Sequence, residues 1–388
     1  MTDLFCLLGG ANKVNQLPRI LLLTASYGAG HLLASYAIKE YCLRYGLANV
    51  QIIDLMKEAH PLLNKISTAV YMGSFHAARF GINYYGWSYY LTQKPNPYSP
   101  VLAGLNRLGC RQLVNIIRKE QPDAIINTFP YGSAPVVGHS LGIPTFTIIT
   151  DFLMHARWIH PDINKFYVAT DDLKQDMINS GILQELIEVT GIPIREAFER
   201  HRYPNENKRK RMILILAGSH SEHYLISEMV QKILALKGNH ITIVCGRNTK
   251  LEQFLNHQFG SVSEITILGF IDQMNELMAS ASCIISKAGG ITLAESLALK
   301  IPVFIFRPFA GQEMDNATYF SKKGVAFISY HIYELVNQIQ DYLSNDAYAS
   351  LIRSRMENFH RERATERIVK DVIGNILGYK KRISAPSS

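Results

Sequence analysis

Three stretches of this 388-residue chain carry residue types whose spacing suits chemistry on a phosphorylated, hydroxyl-rich ligand. The first is Gly289-Gly290-Ile291-Thr292-Leu293-Ala294-Glu295. Glycine lacks a Cβ, so a ligand can approach the backbone of Gly289 and Gly290 closely. Thr292 opens a run of good helix formers that reaches Leu299. A glycine turn feeding a helix N-terminus offers unpaired N–H groups and the positive end of the helix dipole, which suits a phosphate. Glu295 lies one turn further on and points away from that phosphate. A carboxylate there accepts hydrogen bonds, and paired ribose hydroxyls are its natural partner. The second stretch is Phe309-Ala310-Gly311-Gln312-Glu313, with Asn316 one helical turn on. Its amide and carboxylate side by side form a set that reads a polyol. Phosphate, ribose and polyol along one path describe a nucleotide sugar. Strand, glycine turn and helix also recur in α/β proteins without any ligand. The combination of GG-x-T-x-x-E, a strand and P-x-x-G-Q-E-x-x-N is more specific.

The third stretch is Tyr27-Gly28-Ala29-Gly30-His31. Gly28 and Gly30 allow a tight turn with exposed backbone. They do not complete a dinucleotide fingerprint, because Leu33 stands where G-x-G-x-x-G needs its last glycine. His31 sits at a helix start, where it is either a cap or a general base. Imidazole takes a proton from a hydroxyl near neutral pH, and the helix N-terminus disfavours its charged form. Asp151 ends a strand, either as a helix N-cap or as a catalytic carboxylate. Gly218 and Ser219 follow another strand and could touch a diphosphate. Gly269-Phe270-Ile271 combines a ring with exposed backbone that could receive a nucleobase.

These residues need elements to hold them. Apolar runs ending in turns read as buried strands at 19–23, 50–55, 124–127, 145–150, 166–169, 188–190, 212–216, 240–245, 265–268, 283–286 and 301–306. Helices are expected at 32–45, 224–237 and 292–299, and a helical pattern covers 347–377. Strands alternating with helices imply a parallel doubly wound sheet, with ligands at the carboxyl ends of the strands. The polar, basic stretch 205–211 reads as a linker. The expected division is 1–204, 212–346, and a terminal segment 347–388 that crosses back to the first domain and ends in a basic tail at Lys380, Lys381 and Arg382.

Charged residues make up 19% and hydrophobic residues 47%, a globular composition. The net charge of +8 favours anionic partners: nucleic acid, an acidic membrane surface or a phosphorylated substrate. Five scattered cysteines without C-x-x-C argue against a disulfide or zinc framework and fit a reducing cytosol. No D-x-D or other convincing metal spacing is seen. No apolar run approaches the roughly 18 residues of a spanning helix, and the first residues do not make a secretion signal. Any membrane contact is therefore expected to be peripheral. Residues 59–119 contain no Asp or Glu, and their bases are interleaved with nine aromatics, among them Tyr84, Trp87, Tyr89 and Tyr90. That mix fits an anionic lipid surface, could stack on bases, or packs inside the domain.

The residues above resemble the glycosyltransferases that include the MurG enzyme, monogalactosyldiacylglycerol synthases and the processive diacylglycerol glucosyltransferases, and look closest to the last. The resemblance runs from about Arg19 to about Ser329. It is carried by the Tyr27–His31 turn, Asn127-Thr128-Phe129-Pro130, Thr150-Asp151 with His155 and Trp158, Phe166–Thr170, Thr190-Gly191-Ile192-Pro193-Ile194, and the Gly289–Asn316 stretch. It implies two Rossmann-like domains facing across a cleft, the GT-B type. It implies a UDP-sugar donor on the second domain, a diacylglycerol or glycolipid acceptor on the first, inversion at the anomeric carbon, and no metal or other cofactor. By position, His31 would be the base. Phe270 and Ile271 would flank the uracil, and Glu295 would bind the ribose. Gly289, Gly290, Ile291 and Thr292 would meet the diphosphate, and Gln312, Glu313 and Asn316 the sugar. The expected location is the cytoplasmic side of the cell membrane, with no nucleic-acid partner. Alternatives are a polyprenyl-linked acceptor, a UDP-sugar epimerase, and a nucleotide-sugar sensor of the same fold.

Overall fold

The computed structural model describes residues 16–26, 29–59, 73, 84–93, 109–200, 211–218 and 222–384. Runs such as Ile20-Leu21-Leu22-Leu23 are apolar on both faces, which suits a strand covered by helices on both sides. Twelve such strands are seen among the described residues. The first six are β1 (Arg19–Thr24), β2 (Asn49–Asp54), β3 (Ala124–Asn127), β4 (Thr145–Ile148), β5 (Lys165–Val168) and β6 (Ile187–Val189). They form one parallel sheet in the order β2-β1-β3-β4-β5-β6. The other six are β7 (Arg211–Leu216), β8 (Asn239–Val244), β9 (Ile265–Leu268), β10 (Cys283–Ser286), β11 (Val303–Phe306) and β12 (Ala326–Ser329). They form a second parallel sheet in the order β12-β11-β10-β7-β8-β9. This is α/β architecture with two Rossmann-like sheets, as the alternating pattern implies.

Side chains alternate across a strand, and β1 shows the consequence. Ile20 and Leu22 join a core with Ile38 and Cys42 of the Ala29–Arg44 helix and with Ile368, Val372 and Ile376 of the Ala364–Ser384 helix. Leu21 and Leu23 face the opposite layer, against Leu113, Ile117 and Ala134. The last helix of the chain thus completes the first sheet. Tyr167 donates to Asp371 at 2.7 Å, and Lys165 pairs with the same carboxylate at 2.9 Å. Lys380, Lys381 and Arg382 lie in this helix rather than in a separate tail. The core of the second sheet includes Phe152, Ile192, Ile194 and Phe198 of the first half, so one apolar cluster spans the seam.

Three differences from the sequence reading have local causes. The helix expected at Thr292 begins at Gly290, because tertiary contact holds that glycine in the first turn. β12 was not expected, although Val325-Ala326-Phe327-Ile328 is an apolar run of the right length. β6 is shifted by one residue, since Gly191 takes a positive φ of 90° and ends the extended run early. Of the expected linker 205–211, residues 205–210 lie outside the described residues and Arg211 opens β7; most of the acid-free interval also lies outside them.

Candidate active site

The carboxyl ends of the two sheets meet, and the sequence-predicted residues sit at that meeting. On the first half, Ser26, which follows β1, is bonded to Asp54, which ends β2. Ser26 donates to Asp54 Oδ2 through its N–H at 3.0 Å and its hydroxyl at 2.6 Å, and Lys57 N–H donates to Oδ1 at 3.1 Å. Ser26, held in this way, lies close in sequence to the Ala29–Arg44 helix, which carries His31. The His31 ring packs edge-on to Phe129 with centroids 5.2 Å apart, and Trp158 lies 6.1 Å away. His31 Nδ1 is 2.9 Å from the hydroxyl of buried Thr150. Burial pushes the imidazole down to about 4, against an opposing hydrogen bond to the Thr128 backbone. At neutral pH the ring is uncharged.

On the second half, Gly289 is the N-cap of the Gly290–Leu299 helix and supplies no side-chain cap. The first N–H groups of that helix therefore have no partner within it. A Cβ on Gly289 would meet nothing within 4 Å, whereas a Cβ on Gly290 would collide with the carbonyl oxygen of Thr150. The two glycines have different reasons: Gly289 leaves open space, and Gly290 admits the backbone of the first half. Ile291 is buried, and a Cβ on Gly30 would rest 3.6 Å from its Cγ1. Glu295 is also buried, and burial pushes its carboxyl up to about 8 while the charge of Arg195 pulls it back. Arg195 comes from the first half. It donates to Asp272 O at 3.3 Å, its guanidinium lies 5.3 Å from the Phe198 ring centre, and its buried Nε makes no hydrogen bond. Phe270 is 60% exposed, with the Arg247 guanidinium 5.2 Å from its ring centre. A flat exposed ring of this kind can accept a base.

The seam between the halves is polar. Gln312 donates through its amide to Asp151 Oδ1. Burial raises the Asp151 carboxyl to about 6, opposed by hydrogen bonds from Gln312, Asn316 and Trp158. Asn316 is 1% exposed and fully engaged: its Oδ1 accepts from Phe152 N–H at 3.1 Å, and its Nδ2 donates to Ala288 O at 3.2 Å. Its amide is thus bonded to backbone on each half. Glu313 Oε2 accepts from Phe309 N–H at 3.3 Å and so closes the Phe309–Glu313 turn. Burial raises its carboxyl, and Lys287 opposes that. Gly311 has φ 100° and ψ −139°, a conformation open to glycine alone, which explains glycine at that point of the turn.

His31, Gly30, Asp151, Gly290, Ile291, Gln312 and Asn316 are therefore brought together, and Gly289, Thr292, Glu295 and Glu313 share their elements. Gly218 is exposed at the end of β7, and Phe270 and Ile271 follow β9. Gly28 and Ser219 lie outside the described residues. Sequence reasoning gave no role to Arg195, Asp315 or Gln93 and counted Tyr90 only among the aromatics of the acid-free interval; all four contact the seam. Arg195 directly follows the Thr190–Ile194 segment, and Asp315 lies inside the 312–316 motif, so position was an available signal. Tyr90 and Gln93 carried none. Among the described residues no group of three or more His, Cys, Asp or Glu could hold a metal. No described helix is long and apolar enough to cross a membrane.

The family described as monogalactosyldiacylglycerol (MGDG) synthase matches residues 31–194, and the glycosyltransferase family 28 C-terminal domain matches residues 212–370. The processive diacylglycerol beta-glucosyltransferase of Bacillus licheniformis is 32% identical over 390 residues, covering 96% of this chain and 100% of that protein. The Bacillus subtilis protein of the same name is 30% identical, covering 93% and 96%. Among solved structures, MurG of Acinetobacter baumannii aligns with a TM-score of 0.57 at 15% identity, over 92% of this chain and all of that one. UDP-GlcNAc 2-epimerase from Neisseria meningitidis, bound to UDP-GlcNAc, aligns with a TM-score of 0.61 at 16% identity, over 92% and 100%. The structural likenesses speak to the fold.

Proposed function

We propose the function that follows from one premise: the chain belongs to the family of the processive diacylglycerol beta-glucosyltransferases. It moves a hexose from a UDP-sugar to the hydroxyl of diacylglycerol in glycolipid synthesis. The observation that carries the reading to atoms is Thr150. Its hydroxyl meets His31 Nδ1, and its carbonyl lies against Gly290, at the N-terminus of the Gly290–Leu299 helix. A neutral base and an anion-binding helix end thus stand on either side of one residue. That spacing suits a base on one face of a sugar and a departing diphosphate on the other.

The reaction is a direct displacement with inversion. The acceptor oxygen forms its bond to the anomeric carbon as the bond to the diphosphate breaks. The bonding electron pair leaves with UDP. In the tautomer that carries its hydrogen on Nδ1, facing Thr150, His31 takes the acceptor proton at Nε2. The nearby diphosphate raises the affinity of the imidazole for that proton, because opposite charge favours the ionised form. Charge building on the leaving group is met by the preset helix terminus, so the reading needs no metal and no other cofactor. Glu295 accepts from ribose hydroxyls, Phe270 and Ile271 take the uracil, and Gly289 to Thr292 meet the diphosphate. Gln312 and Glu313 take the sugar, with Gln312 held by Asp151. The chain is peripheral on the cytoplasmic side of the membrane and approaches an anionic surface through the first half.

The test is incubation with radiolabelled UDP-glucose and UDP-galactose and diacylglycerol vesicles, followed by lipid extraction. Label in the organic phase is expected. Label confined to free sugar or to an epimerised nucleotide would remove the lipid acceptor from the reading.

A further inference from the structure

The helix Tyr84–Leu91 and the turn after it belong to the first half, yet they reach across the cleft to the second. Tyr90 donates its hydroxyl to Asp315 Oδ1 at 3.2 Å and accepts from Gly311 N–H at 3.3 Å. Gln93 donates to Asp315 Oδ2 at 3.0 Å, and Tyr89 makes a further side-chain hydrogen bond to the same carboxylate. Both oxygens of Asp315 are therefore held from the opposite half. The segment is itself anchored at its base. His155 accepts from Arg157 N–H at Nδ1 at 3.2 Å, which leaves Nε2 to donate to Tyr89 O at 3.2 Å. Ala156 N–H donates to Gln93 O at 3.0 Å. His155 and Tyr89 also pack, with ring centroids 4.6 Å apart.

Asp315 lies one helical turn beyond Gly311 and next to the residues assigned to the donor sugar. Gly311 N–H and Asp315 are the two ends of the turn that carries Gln312 and Glu313. Holding both ends from one tyrosine fixes where those side chains point. We infer that Tyr89, Tyr90 and Gln93 form a cross-cleft clamp on Asp315 and Gly311 that positions the sugar-binding turn, so that recognition of the sugar depends on the acceptor half. Asp315, Tyr90 and Gln93 are positioning residues, and none needs to touch the substrate. The inference rests on the proposed assignment of the Phe309–Glu313 turn to the donor sugar. The uridine and diphosphate contacts lie on other elements and are independent of the clamp.

Calorimetric titration with UDP, UDP-glucose and UDP-galactose separates these contributions. It is run on the full chain and on Tyr90→Phe, Asp315→Asn and the double variant. Losing a hydrogen bond to a charged group is expected to cut the preference for the better-bound UDP-sugar over UDP roughly tenfold. The affinity for UDP itself should stay unchanged, as should the melting temperature of Tyr90→Phe. The double variant should lose no more than the larger single loss, since both break one clamp. Preference for the sugar unchanged in either single variant would overturn the clamp. So would a loss of equal proportion for UDP and UDP-sugar, which would mark a purely structural role. A wild-type chain that binds no UDP would overturn the donor reading and the clamp with it. Wild-type UDP binding with an unaltered sugar preference in the variants would remove the clamp alone.

Discussion

At the scale of single residues, two buried titratable groups, His31 and Glu295, decide how the site responds to pH. His31 is held at about 4 by burial, so it stays neutral across the physiological range. His31→Ala is expected to lower turnover about 100-fold or more while leaving the affinity for UDP intact, read by lipid-extracted label and by calorimetry. Unchanged turnover would remove the residue from the mechanism. Glu295 is raised from 4.5 to about 8 by burial. Between those values the folded chain keeps a proton that the unfolded chain releases, so stability falls as pH rises through that window. Below it the group contributes no penalty, and above it the penalty is complete. Glu295→Gln, without ligand, should therefore gain about 4 kcal/mol relative to wild type on going from pH 5 to pH 9. Thermal melts at the two values would read this, and equal differences at both would refute it. The same variant should weaken UDP at pH 9, where Glu295 is ionised, because a carboxylate accepts from two hydroxyls where an amide offers one acceptor.

Among the elements, the Gly290–Leu299 helix separates two uses of glycine that look alike in sequence. Gly289 faces open space and Gly290 faces the Thr150 carbonyl. Gly289→Ala is therefore expected to leave the melting temperature unchanged and to weaken UDP by about tenfold, since its Cβ would occupy the approach of the diphosphate. Gly290→Ala should lower the melting temperature, because the two halves can no longer close at Thr150 without moving. Identical behaviour of the two variants would contradict this division. The strand positions were legible because short apolar runs ending in turns mark buried parallel strands. Ala124–Asn127, Ile265–Leu268 and Cys283–Ser286 match their expected bounds. The helix start was not, because Gly290 has poor intrinsic helix propensity and is held helical by its packing.

For the whole molecule, the last helix is what makes the first sheet complete. Ile368, Val369, Val372, Ile373 and Ile376 are buried against β1 and its neighbours, far away in sequence. Ile368→Ala should cost about 2–5 kcal/mol, the range for emptying a core isoleucine site. The loss should appear as faster amide exchange in β1 and β3, which hydrogen exchange resolved by segment would report. Loss of protection confined to the second half would show that the helix belongs there instead. Because Thr365 also donates to Ile194 O at 2.7 Å, the chain returns to the first half at the crossing between the sheets.

The sequence by itself determined the α/β class, the parallel strands and most of the chemistry-bearing turns. These follow from local rules: apolar periodicity, glycine's missing Cβ and the dipole at a helix start act within a few residues. Tertiary structure alone decided the meaning of contacts between distant segments. Asn316 has the side chain of a sugar ligand, yet its amide bonds the backbone at Phe152 and Ala288. Tyr90 was one ring among many until its hydroxyl was found between Gly311 and Asp315. A hydrogen bond is satisfied by whichever partner the fold brings within about 3 Å, and no local pattern records which segment, hundreds of residues away, that will be.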